Sequence, residues 1–100
     1  VVGFVSVKLH NRYSAEIYVL GVVPELHRQG IGRLLMAEVL AWLLQQGVEY
    51  VQVKTLGPSH SDVGYAETRA FYESLEFRYL EEFKQIWDEN NPCLIMIRRL

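Results

Sequence analysis

Residues 27 to 33, His27-Arg28-Gln29-Gly30-Ile31-Gly32-Arg33, join three basic side chains to two glycines one residue apart, at the head of a stretch with helical periodicity. A helix N-terminus exposes unpaired backbone N–H groups and carries partial positive charge, so basic side chains are unfavourable there unless an anion joins them. None of Glu25, Leu26, His27 and Arg28 is one of the usual capping residues. Uncapped donors, added positive charge and glycines that admit a ligand close to the backbone describe an anion site, most simply for a phosphate or pyrophosphate.

The elements around this site follow from hydrophobic spacing. Gly3 to Leu9 alternates Phe4, Ser6 and Lys8 against Val5, Val7 and Leu9, which predicts a strand. A polar turn from His10 to Ser14 leads into a second strand over Ala15 to Val23, with Ala15, Ile17, Val19 and Gly21 expected on the core face and Glu16 and Tyr18 on the opposite one, where Glu16 reads either as a functional carboxylate or as a solvated one. Pro24 ends that strand because it lacks a ladder N–H. A helix is expected from about Arg28 to Gln46, with Ile31, Leu34, Leu35, Val39, Trp42 and Leu43 on its buried face and Gly47 beyond its C-terminus. Val48 to Thr55 reads as a third strand, parallel to the second because a helix joins them. A Gly, Pro, Ser and Asp loop from Gly57 to Gly64, a short helix from Glu67 to Leu75, strands over Phe77 to Phe83 and Leu94 to Leu100, and a turn from Asp88 to Pro92 complete the chain. This order predicts an α/β fold, a mixed sheet with helices packed on it, in a single domain over residues 1–100.

Composition narrows the function classes. Half the residues are hydrophobic and 22% are charged, with a formal charge of −2, so there is no general basic footprint for nucleic acid. No apolar run reaches the roughly 18 residues of a membrane span, and no signal peptide is visible. Cys93 is the lone cysteine, so no intrachain disulfide is expected, which agrees weakly with a cytoplasmic setting. His10, His27 and His60 lack metal-ligand spacing, and no metal is expected. Two glycine-motif rivals fail on named residues. A dinucleotide fingerprint would need glycine where Leu35 stands, and a nucleotidase phosphate loop would need Lys-Ser/Thr where Arg33-Leu34 stands.

The segment His27-Arg28-Gln29-Gly30-Ile31-Gly32 resembles the acyl-CoA motif Gln/Arg-x-x-Gly-x-Gly/Ala of the GNAT N-acetyltransferases, with His27 at the Gln/Arg position. Phe71-Tyr72-Glu73-Ser74-Leu75-Glu76-Phe77 is similar to that family's later motif, Phe-Tyr-x-x-x-Gly-Phe, with Glu76 at the glycine and Tyr65 where an Asn often precedes it. The element order matches the later two-thirds of the family fold, and the start at Val1 implies that the first strand and helices lie outside this chain. The resemblance implies acetyl-CoA as acyl-donor cosubstrate, with Leu20, Gly21, Val22 and Val23 lining its pantetheine arm through backbone groups and His27, Arg28, Gln29, Gly30, Ile31, Gly32 and Arg33 holding its pyrophosphate.

A protonated amine with a pKa near ~10.4 must lose a proton before it attacks a thioester. By resemblance Glu16 takes that proton, with a water chain or Tyr18 as the alternative, and Tyr72 protonates the departing thiolate. The implied reaction is direct transfer to a primary amine in a ternary complex. A non-catalytic acyl-CoA-binding regulatory module is the other reading. No membrane or nucleic-acid partner is expected, and an exposed sheet edge would offer a surface to a second copy in a homodimer.

Overall fold

The computed structural model describes residues 3–22, 30–59, 63–88 and 90–100. They form five strands and two helices: β1 (Gly3–Leu9), β2 (Ser14–Val22), α1 (Ile31–Gln45), β3 (Tyr50–Leu56), α2 (Val63–Ser74), β4 (Arg78–Asp88) and β5 (Asn91–Arg99). The fold is α/β with a mixed, mostly antiparallel sheet and flanking helices. Two compact units divide it, Val1–Val51 with Leu100, and Gln52–Arg99.

In the first unit β1 and β2 form an antiparallel hairpin. The Asn11 side chain accepts from the Tyr13 and Ser14 N–H groups at 2.8 and 3.1 Å, which closes the connecting turn. The cross-strand register runs Leu9 to Ala15, Lys8 to Glu16 and Val7 to Ile17, then slips, so that Ser6 faces Val19, Val5 faces Leu20 and Phe4 faces Gly21. β2 therefore carries one residue more than β1, Tyr18, as a β-bulge. Directly paired residues share a face, so the bulge reverses the parity of β2. Ala15 and Ile17 lie on the face of Val7 and Leu9, but beyond the bulge it is Leu20 that joins Val5, while Gly21 passes to the side of Phe4. The expected unbroken odd-numbered core face is thereby corrected. Hydrophobic alternation cannot anticipate an inserted residue within a run where both parities are largely apolar.

α1 packs against β1 and β2 and buries Met36, Val39, Leu40 and Leu43, an i, i+3, i+4, i+7 stripe. Leu34 and Trp42, expected inside, are 66% and 46% exposed. The helix has more apolar residues than one face holds, so periodicity fitted two overlapping stripes. At its end, the Gly47 N–H bonds the Leu44 carbonyl and the Val48 N–H bonds the Leu43 carbonyl, with Gly47 left-handed at φ 83. This is a Schellman cap, with buried Val48 and Leu43 as its apolar pair. The Glu49 and Tyr50 N–H groups both donate to the Tyr13 carbonyl, so the start of β3 lies beside the start of β2.

In the second unit the strand order is β3-β5-β4. β4 and β5 pair antiparallel, and the Gly57 N–H bonds the Pro92 carbonyl where β3 ends and β5 begins. Val53, Leu56, Phe77, Cys93, Leu94 and Met96 form its buried core. α2 starts at Val63, four residues before the expected start, and β4 runs on to Asp88, whose carboxylate accepts from the Asn90 and Asn91 N–H groups at 2.9 Å each and closes the hairpin.

α2 ends in a second Schellman cap. The Glu76 N–H bonds the Glu73 carbonyl, the Phe77 N–H bonds the Tyr72 carbonyl, and Glu76 takes the left-handed conformation at φ 71. A side chain in that conformation costs about 1–2 kcal/mol that glycine avoids. The carboxylate of Glu76 meets Arg98 at 3.5 Å but is 75% exposed, so the ion pair offsets little. Glu76→Gly is expected to stabilise the fold by about 1 kcal/mol and raise the melting temperature by several degrees in thermal unfolding. An unchanged or lower melting temperature would show that the turn is not strained.

Candidate active site

The first unit carries the end of β2, the start of α1 and Glu16. Gly30 is the N-cap of α1 and is left-handed, at φ 82 and ψ 4. Its carbonyl accepts the first helical bond, from the Leu34 N–H at 3.0 Å. The helix thus begins at Ile31, about three residues after the expected start, because a left-handed residue cannot belong to it. Among the described residues no side chain caps the first turn, and no acidic residue stands in it. The first N–H groups of an α-helix have no acceptor within the helix, and here the turn opens with Ile31 and Gly32. Ile31 and Gly32 are half-buried and Arg33 is exposed.

A Cβ on Gly30 would meet nothing within 4 Å, so its backbone conformation, rather than space, favours glycine. Gly21 differs: a Cβ there would lie 2.6 Å from the Phe4 ring, which covers the glycine from the neighbouring strand. Leu20 is half-buried on the other side of β2. Val22 closes the strand through its backbone, paired with Gly3. Val23, His27, Arg28 and Gln29 lie outside the described residues.

Glu16 departs from expectation. It is 3% exposed, one of three consecutive buried residues with Ala15 and Ile17, so β2 is covered on both faces at this point. Its Oε1 lies 2.8 Å from His10 Nε2. A carboxylate this deep is tolerated only when it is hydrogen-bonded. Of the two readings of Glu16, the solvated one is therefore corrected to an enclosed position. The partnership with His10 was missed because it depends on register: Lys8 faces Glu16, and His10, two residues on, is its diagonal neighbour on the same face. Tyr18, the alternative base, is the bulged residue and is 64% exposed.

Tyr72 belongs to the second unit. It occupies the position whose carbonyl receives the Phe77 N–H, and its ring packs edge-on to Phe77 at 5.6 Å and to Phe71 at 5.5 Å. The Phe-Tyr-x-x-x-Gly-Phe spacing thus has a physical meaning. It places the aromatic pair of a Schellman cap at its two closing positions, so the cap also fixes the tyrosine. Burial pushes the Tyr72 phenol above the ordinary 10.0, so it holds its proton at neutral pH and can act as a donor. Tyr65 is 44% exposed on the same helix.

Two arginines not singled out by the sequence brace this unit. Buried Arg69 donates to the Leu56 carbonyl at 2.7 Å, tying α2 to the end of β3. Arg98 donates to the Leu75 carbonyl at 2.9 Å, satisfying one of the open carbonyls at the end of α2. Among the described residues, no three His, Cys, Asp or Glu side chains gather as metal ligands, and no helix is long and apolar enough to cross a membrane.

The family model of the acetyltransferase (GNAT) domain matches residues 1–79, and the chain belongs to that family, whose acyl donor is acetyl-CoA. An uncharacterized N-acetyltransferase of Chlorobaculum tepidum is 32% identical over 93 residues, which cover 93% of this chain and 55% of that protein. The chain thus spans about half the length of this curated relative. Two solved structures share the fold. Ard1 from Thermoplasma volcanium superposes with a TM-score of 0.85 at 21% identity, over 99% of this chain and 63% of that one. A GNAT family acetyltransferase from Elizabethkingia anophelis with acetyl-CoA bound gives 0.84 at 17% identity, over 100% and 69%.

The raised Tyr72 pKa has a consequence for stability. Its phenol ionises in the unfolded chain near 10.0 and in the folded chain only above that, so its contribution is intact below pH 10 and lost as pH rises further. Absorbance titration of phenolate is expected to show a tyrosine ionising above the ordinary value that disappears in Tyr72→Phe. A Tyr72→Phe titration that loses only an ordinary phenol would contradict the burial argument.

Proposed function

We propose that this chain is a single N-acetyltransferase domain that transfers an acetyl group from acetyl-CoA to a primary amine by direct attack in a ternary complex. The observation that carries this reading is the start of α1: a left-handed glycine, followed by a first turn with neither a side-chain cap nor an acidic residue among the described residues. Such a turn presents N–H groups and positive dipole to a pyrophosphate. The acetyl-CoA-bound Elizabethkingia relative, which shares the fold, supports the choice of ligand.

In this reading Leu20, Gly21, Val22 and Val23 line the pantetheine arm, and His27, Arg28, Gln29, Gly30, Ile31, Gly32 and Arg33 hold the pyrophosphate. Glu16 accepts the amine proton. Its enclosed setting strengthens the electrostatic interaction with an ammonium relative to water. Attack on the thioester carbonyl expels the thiolate, and Tyr72, still protonated at neutral pH, supplies its proton. The binding energy resides in the backbone and the basic side chains, so no metal is required. With Cys93 as its single cysteine the chain holds no intrachain disulfide, which is in keeping with a reducing compartment such as the cytoplasm.

Two substitutions in the full-length protein test the assignment. Gly32→Glu places a bulky negative side chain in the first turn of α1 and is expected to abolish acetyl-CoA binding in calorimetric titration; retained affinity would remove the pyrophosphate site. Tyr72→Phe is expected to lower kcat roughly 100-fold or more while leaving acetyl-CoA affinity within about twofold. Undiminished turnover, measured by thiol release, would reject the general-acid role. Intact acetyl-CoA binding with no transfer to any amine in the wild type would instead favour a regulatory acyl-CoA-binding module.

A further inference from the structure

We propose that His10 is the positioning residue of the base: its Nε2–H donates to Glu16 Oε1 and holds the buried carboxylate ionised and fixed in rotation. The inference rests on the reading of Glu16 as the base given above.

The argument starts with burial. Glu16 is 3% exposed, whereas the His10 side chain is 32% exposed, and the 2.8 Å contact bridges the two environments. An ionised carboxylate can only accept, so the bond requires the hydrogen on Nε2 of the imidazole. A donor aimed at a buried carboxylate favours its charged form, the form a base needs. It also removes one torsional freedom of a side chain that must meet an ammonium in a defined direction. This is the logic by which a catalytic group is oriented by a further residue that does not touch the substrate.

The surrounding backbone holds the pair in place. His10 and Glu16 are diagonal neighbours across the hairpin, on the face shared with Lys8, which stands directly opposite Glu16. The His10 N–H bonds the Ser14 carbonyl at 3.0 Å, and the Asn11 side chain closes the same turn. The imidazole is thus anchored by a tight turn whose four residues fix its reach to β2. The charged groups on these two strands and their turn are Lys8, Arg12 and Glu16. Arg12 lies over the Tyr13 ring, 4.6 Å from its centroid.

The test uses two variants of the full-length protein, acetyl-CoA, and n-butylamine and a lysine-containing tetrapeptide as probe amines. His10→Ala removes the donor and is expected to lower kcat roughly 10- to 100-fold with the KM for acetyl-CoA unchanged. His10→Gln restores an N–H donor of similar reach and is expected to recover most of that loss. A merely structural role would lower the melting temperature of both variants together and would not produce recovery in kcat alone. Full turnover in His10→Ala, or a loss that His10→Gln fails to recover at an unchanged melting temperature, overturns the proposal and leaves the transfer reading standing. Acetyl-CoA binding without thiol release from either probe in the wild type overturns the transfer reading and the role of His10 with it.

Discussion

The first turn of an α-helix holds N–H groups that no carbonyl of the helix itself can take, and among the described residues α1 has no side-chain cap for them. Gly30 sets the condition by turning left-handed immediately before Ile31, which aligns the first turn while contributing no side chain of its own. The buried stripe from Met36 to Leu43 holds the helix against β1 and β2, and the Schellman cap at Gly47 closes its far end. Stability is therefore drawn from the body and C-terminus of the helix, and in the proposed reading the N-terminus is left to an anion. The acyl-CoA reading depends on this division of labour.

A second constraint governs the other unit. There the same capping geometry serves to fix a side chain. The cap of α2 sets Tyr72 against Phe77, and Arg69 and Arg98 tie the two ends of the segment to neighbouring carbonyls. Glu76 accepts the left-handed turn at a cost in backbone energy, because the cap fixes the conformation whatever residue occupies it. Burial of the phenol then keeps it protonated at the pH where a thiolate would need a proton. Local backbone geometry, aromatic packing and acid–base chemistry meet in seven residues.

The sequence made the element order legible because period-two and period-3.6 patterns are separated by strong punctuation: Pro24, Gly47 and the loop at Gly57. The proposed phosphate site was readable only as far as residue types go, from the want of a capping residue before the helix. The sequence also flagged Glu76, since only a left-handed turn explains a glycine in the related motif. The parity of β2 past Tyr18 was not legible. A bulge is decided by pairing with β1, and an apolar run on both parities hides it. The burial of Glu16 and its bond to His10 escaped for the same reason: both depend on cross-strand register rather than on spacing along one strand. The choice between Leu34, Trp42 and Met36, Leu40 as the inner face of α1 was likewise settled by packing, because the helix is apolar over more than one face.

The most direct test of the account is backbone amide NMR of the full-length protein during titration with acetyl-CoA, with NAD as control. The amide resonances of Ile31, Gly32 and Arg33 are predicted to shift saturably with acetyl-CoA and to stay unmoved with NAD. Acetyl-CoA that leaves these three amides unperturbed, or that shifts them no more than NAD does, would contradict the claim that the open end of α1 is a pyrophosphate site.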